Sequence, residues 1–149
     1  MFLSGMLAWG RRRVKTSPRR SFLRRVRWIS ALVWMGGIFF LSQQSSPSGG
    51  AGGVESEVAH VVLYAALASL LFWALAGDRS DVDTPFWVPA ALAFALTVLY
   101  GVSDELHQAF VPARTASELD VALDAAGAAL GVAVALLASR FLTTRQLKA

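Results

Sequence analysis

The sequence predicts an all-α polytopic membrane protein, a bundle of four transmembrane helices with a basic N-terminal tail. Three observations predict it. Hydrophobic residues make up 55% of the 149 residues and charged residues only 16%, against roughly 25% in an ordinary soluble domain. The apolar residues gather into four stretches, each near the roughly 20 residues that cross a bilayer. These stretches do not alternate polar and apolar side chains as barrel strands do, so each must satisfy its own backbone as a helix. The same apolar content excludes intrinsic disorder. The absence of Cys excludes a disulfide scaffold, thiolate metal sites and a Cys nucleophile.

Residues 1–25 form a basic cytoplasmic or interfacial tail. Nine of the 14 Lys and Arg lie between Arg11 and Arg27, immediately before an apolar segment. That placement fits anionic lipid rather than nucleic acid. The first span follows over Val26–Ser42 and carries Gly36-Gly37. Arg19-Arg20-Ser21-Phe22-Leu23-Arg24 approaches a twin-arginine export signal. The stretch after it is rich in Trp, Phe and Ile, has no small-residue cleavage site, and precedes three more spans, so it reads as a retained helix. The second span covers Val58–Ala76, the third Phe86–Val102 and the fourth Leu119–Ser139. Together residues 26–142 form the transmembrane domain, and residues 143–149 a short cytoplasmic tail. Residues 43–57, rich in Gly, Ser and Pro, form a flexible loop, and residues 77–85 a second. Residues 103–118 form the third connection, with the ends of the flanking helices extending into it. Trp28, Trp34, Trp73 and Trp87 suit interfacial belts or packing. The Gly-rich stretch 49–53 precedes no Lys-Ser or Lys-Thr, so it is no phosphate loop.

The basic tail places the N-terminus in the cytoplasm, and four spans return the C-terminus there. This arrangement leaves thirteen of the fourteen Lys and Arg inside and Arg114 alone outside.

Ionisable side chains in spans are costly and face the bundle interior or water. Here they fall at the outer ends of three spans. Glu57, His60 and Tyr64 share one stripe at the start of the second. Asp104, Glu105, His107 and Gln108 end the third. Asp120 and Asp124 stand one turn apart at the start of the fourth. If that helix begins near Glu118, Asp124 lies about 9 Å along its axis, below the headgroups. Such a carboxylate is expected to pair with Arg114, His60 or Gln108, or to be protonated. Gly127-x-x-x-Gly131 continues the stripe and lets a helix approach closely, within the chain or between chains.

Each residue also has a plainer explanation. Asp120, after Ser117, caps the fourth helix, and Glu57 does the same for the second. His60 is a satisfied interfacial polar group, and Tyr64 packs. One of Glu105 and His107 faces solvent, because the two cannot share a face. Asp124 is too deep for a cap, and Arg114 is the one outside cation among several acids.

Two stretches resemble the VanZ-like family of bacterial membrane proteins. Glu57-x-x-His60-x-x-x-Tyr64-x-x-Leu67 is similar to that family's D-K-x-x-H-x-x-x-Y-x-x-L segment. Asp104-Glu105-x-x-Gln108-x-Phe110-x-Pro112-x-Arg114-Thr115, continuing through Asp120 and Asp124 to Gly127 and Gly131, is similar to its D-E-x-x-Q…R-x…D…N/D-x-x-G-x-x-x-G pattern. The resemblance covers about residues 28–139. Ser56-Glu57 replaces a frequent Asp-Lys, which removes a basic partner, and Ala113 replaces a frequent Gly. The resemblance implies about four spans and a cell-envelope role; a named member is linked to reduced susceptibility to the glycopeptide teicoplanin.

The residues admit three functions. An outward-facing polar pocket binds a cell-wall or lipid-linked ligand through Gln108, Arg114, Thr115, Asp120, Glu57 and Tyr64, with Arg114 engaging an anionic group. Alternatively, Asp104, Glu105, His60 and Asp124 act as acid, base or metal ligands in a membrane-embedded hydrolase or transferase. The third option, an ion-coupled transporter, lacks acids in the inner half of the spans. The spacing matches no defined metal motif, so the metal, the ligand and the oligomeric state stay open, with the lipid bilayer the one assured partner.

Overall fold

The computed structural model describes residues 17–44, 54–77, 85–112 and 116–146. Arg114, Thr115 and most of the Gly-rich loop therefore lie outside the described residues, as does Arg79. The described residues form four helices and no strand: α1 (Pro18–Ser42), α2 (Val54–Gly77), α3 (Trp87–Gln108) and α4 (Glu118–Gln146).

Helix α1 begins eight residues before the apolar stretch. Ser17 supplies its cap, its side chain accepting from the Arg20 amide, and Pro18 occupies the first turn, where its missing N–H costs nothing. The arginines from Arg19 to Arg27 thus lie on the first turns of this helix. The apolar part, Trp28 to Ser42, is about 22 Å long, short of the roughly 30 Å hydrocarbon core. By length and composition three helical segments suffice to cross a membrane: Glu57–Gly77, Trp87–Gln108 and Glu118–Phe141. Four-span crossing thus rests on α1, which falls just outside that group.

The helices are inside out relative to a soluble bundle. Helix α3 buries Pro89, Ala90, Ala93, Thr97, Gly101, Asp104, Glu105 and Gln108, a stripe of small and polar residues at three- and four-residue steps. Its large apolar side chains, Leu92, Leu96, Leu99 and Leu106, are exposed. Helix α4 likewise exposes Leu130, Val134 and Leu137. In water such faces would drive aggregation; against acyl chains they cost nothing.

The centre of the bundle is α2 against α4. An added Cβ on Gly127 would meet the Val61 carbonyl, and one on Gly131 the Ala65 carbonyl, so only glycine permits this backbone approach. The Gly-x-x-x-Gly pair therefore works within the chain. The Ser69 hydroxyl lies 2.8 Å from the Ala65 carbonyl and 3.0 Å from that of Gly131, sharing its proton across the seam. Helix α3 closes on both, with Tyr64, Leu67, Leu71, Phe72, Ala90 and Ala93 in the core.

Helix α1 packs mainly on α2. The Trp34 indole donates to the Leu63 carbonyl at 2.9 Å, and Tyr100 of α3 donates to the Met35 carbonyl at 2.7 Å. Gly36 and Gly37 have open space beside them, so they serve no close approach here. Arg27 sits with its guanidinium 5.4 Å from the Trp73 ring centroid and reaches Gly77, at the C-terminal end of α2.

Alternating helix directions sort the charges. Among the described side chains, Arg19, Arg20, Arg24, Arg25, Arg27 and Arg140 stand toward the end formed by the α1 N-terminus and the α4 C-terminus. Glu57, Asp104, Glu105, Glu118, Asp120 and Asp124 stand toward the other.

Candidate functional site

The acidic end draws on all four helices. Helix α3 delivers Asp104, Glu105 and Gln108 from its last turn and a half, α2 delivers His60 and Tyr64 from its start, and α4 delivers Asp124 from its second turn. Asp104 and Glu105 are 4% exposed and Asp124 0%, so three carboxylates are withdrawn from solvent together.

His60 and Asp124 form an ion-pair contact, Nδ1 to Oδ1 at 2.8 Å. Of the three partners expected for Asp124, the imidazole is the one observed. The His60 ring lies parallel to that of Tyr64, within 4°, with centroids 6.2 Å apart. The position of Asp124 depends on Gly101 of α3. An added Cβ there would stand 2.7 Å from Asp124 Oδ2 and 3.2 Å from Tyr64.

Asp104 anchors a second, adjacent network. Its Oδ2 accepts from the Ser42 hydroxyl at 2.6 Å, from the Gln108 amide at 3.0 Å and from the Tyr64 hydroxyl at 3.4 Å. The Asp104–Gln108 bond is the i,i+4 pairing expected from their spacing. Ser42, the last residue of α1, is a member that sequence reasoning missed. It lies at the edge of a polar loop, and nothing in its local pattern points 62 residues ahead.

Glu105 bridges to α4: its Oε2 accepts the Ser117 amide at 2.9 Å, at the start of that helix. Glu105, rather than Asp120, thus satisfies this amide. His107, in contrast, leaves the group and lies against Phe39 of α1, ring centroids 4.8 Å apart. The expectation that Glu105 or His107 faces solvent is corrected. Glu105 points inward onto the Ser117 amide, and His107 is half-buried because Phe39 of α1 lies against its ring.

Asp120 and Glu57 are half-buried near the cluster's helix ends. Arg114 and Thr115 fall outside the described residues.

Three carboxylate oxygens are buried with no hydrogen-bond partner: Asp104 Oδ1, Glu105 Oε1 and Asp124 Oδ2. One ligand atom from each of His60, Glu105 and Asp124 lies within 4.8 Å of the other two. A buried anionic oxygen without a partner is expensive. An apolar groove between α1 and α2, lined by Ile29, Val33, Trp34, Ala66 and Leu70 among others, includes none of these residues.

The VanZ/LLP1 family model matches residues 22–139. The chain belongs to the VanZ/LLP1 family. The match takes in all but the first turn of α1, the whole of α2 and α3, and α4 through Ser139, so every VanZ-pattern residue of the cluster lies within it. Helices of this length and apolarity in a VanZ/LLP1 chain make it a multi-pass membrane protein. No curated protein and no solved structure matches the chain.

Proposed function

We propose that the chain is a bacterial plasma-membrane protein whose outward-facing polar pocket binds a cell-envelope ligand, cell-wall or lipid-linked, and that this binding modulates susceptibility to teicoplanin-type glycopeptides. In this reading residues 26–142 cross the membrane four times, between a basic cytoplasmic tail and a short cytoplasmic C-terminus. Helix α1 crosses with its arginines in the inner headgroup layer. The observation that carries the reading is the burial of Asp104, Glu105 and Asp124, with His60, Tyr64 and Gln108, at one end of the bundle. The separation of basic and acidic ends supports the orientation, since cytoplasmic flanks carry the excess of Lys and Arg. Arg114 and Thr115, in the outer connection, contact an anionic group of the ligand. Glu57 and Asp120 flank the opening.

A second reading has a specific observation behind it. The His60–Asp124 contact is the arrangement by which a carboxylate orients an imidazole as a general base. Acting with Asp104 and Glu105, it would make the pocket hydrolytic or group-transferring.

The test is a lipid and muropeptide comparison of cells lacking the gene, complemented with the wild type or with Asp124→Asn. The envelope reading expects a change on deletion that the wild type reverses and Asp124→Asn does not. Unaltered lipids, muropeptides and teicoplanin susceptibility on deletion refute it. A ligand class that accumulates chemically unprocessed on deletion selects the enzymatic reading.

A further inference from the structure

We propose that His60, Glu105 and Asp124 bind one divalent first-row transition cation, of the manganese or zinc class, inside the acidic end of the bundle. The inference rests on reading this cluster as the functional site, and it names what the cluster holds.

Geometry comes first. The three residues stand on α2, α3 and α4, far apart in sequence, yet one ligand atom of each lies within 4.8 Å of the others. Around a tetrahedral ion with metal–ligand distances of about 2.1 Å, ligand atoms stand about 3.4 Å apart, so the three residues have to draw slightly closer than they stand here to close on one. His60 Nδ1 and Asp124 Oδ1 are hydrogen-bonded at 2.8 Å, and an ion bound between them would release that proton.

A second observation is independent of that spacing. Asp124 Oδ2 and Glu105 Oε1 are buried and accept from nothing, although their partner oxygens are engaged. Asp104 Oδ1 is a third buried oxygen without a partner, on the neighbouring residue of α3. A hydrophobic bundle that needed carboxylates only for packing would satisfy both oxygens of each. Carboxylates buried this close together repel in a low dielectric unless a cation or protons lie between them.

Charge and donor chemistry select the ion. Among the described residues no Arg or Lys reaches these carboxylates; the described arginines belong to the opposite end. Two carboxylates and one imidazole call for a dication. Imidazole suits zinc and iron, carboxylates suit magnesium, calcium and manganese, and the mixed set falls between. The absence of Cys removes the soft thiolate metals. The Asp104 network then acts as an outer layer, holding Tyr64 and Gln108 around the ligands.

The experiment uses the purified full-length chain in lipid nanodiscs, stripped with chelator and titrated separately with MnCl2, ZnCl2, CaCl2 and MgCl2. Bound metal is measured by mass spectrometry, manganese also by electron paramagnetic resonance, and stability by thermal unfolding. The expected result is one equivalent per chain and a raised unfolding midpoint for the unmodified protein, which requires no variant. Asp124→Asn, Glu105→Gln and His60→Gln should each weaken binding at least tenfold, whereas Glu118→Gln, an exposed acid nearby, should not. Less than a tenth of an equivalent at saturation overturns the proposal, as does equal binding by all variants. Uptake of calcium or magnesium alone overturns the transition-ion class. An Arg114→Gln variant that unfolds while the wild type binds no metal identifies the guanidinium as the counter-charge, and the proposal falls. The two readings fail separately. Metal bound by a chain whose loss leaves the envelope unchanged sinks the envelope function alone. An Asp124-dependent envelope change without metal sinks only the cation.

Discussion

Asp124 has no exposed surface, one oxygen on His60 and the other on no described residue, so it is buried half-satisfied at a cost in stability. Such groups persist when function needs them. Asp124→Asn keeps the shape and removes the charge. The expected outcome is thermal stability in detergent equal to or above that of the wild type, together with loss of any envelope phenotype. Raised stability with an intact phenotype would remove Asp124 from the site. Gly101 tests the same position from outside. In Gly101→Ala the new methyl meets Asp124 and Tyr64. This variant should lose about 1–3 kcal/mol through overpacking, seen as a lower unfolding midpoint, and should disturb the His60–Asp124 contact. A variant as stable as the wild type would show that α3 can draw back freely. Much of this scale was legible beforehand. Asp124, His60, Asp104 and Gln108 stood out because polar groups in apolar stretches are conspicuous against their background. Ser42 did not, since a serine beside a polar loop looks like loop until another helix brings Asp104 to it.

Helices α2 and α4 touch backbone to backbone, and this contact sets the depth at which His60 faces Asp124. The Val61 and Ala65 carbonyls occupy the space a side chain at Gly127 or Gly131 would need. Gly131→Leu should therefore separate the helices and cost more than the about 1–3 kcal/mol of ordinary overpacking. Unfolding in mixed micelles measures it; an unshifted transition would mean the contact is not the one that holds the bundle. The helices themselves could be read from apolar runs, while their ends could not. Helix α1 begins at Pro18 because Ser17 caps it, and α4 runs to Gln146 beyond the apolar stretch. Charged arginines propagate a helix well, and hydropathy alone is blind to that.

For the whole molecule, the basic end and the acidic end lie on opposite sides of the apolar belt, which makes orientation a measurable property. The native chain has no Cys, so single cysteines report without background. Ser48→Cys, between α1 and α2, should react with a membrane-impermeant maleimide in intact cells. Thr144→Cys, near the C-terminus, should react only after lysis. Labelling of both in intact cells, or the reverse pattern, would overturn the assigned topology. Read alone, the sequence decides the class of solvent: four apolar stretches, a one-sided run of arginines and, within the spans, acids at one set of helix ends follow from hydropathy and charge, which are local and additive along a chain. Tertiary structure alone decided which acids meet. Facing depends on helix rotation and depth, set by the glycine seam between α2 and α4 and by the cover α1 lays over α3. That packing turned His107 toward Phe39, gave Asp124 to His60, and left three buried carboxylate oxygens without a hydrogen-bond partner.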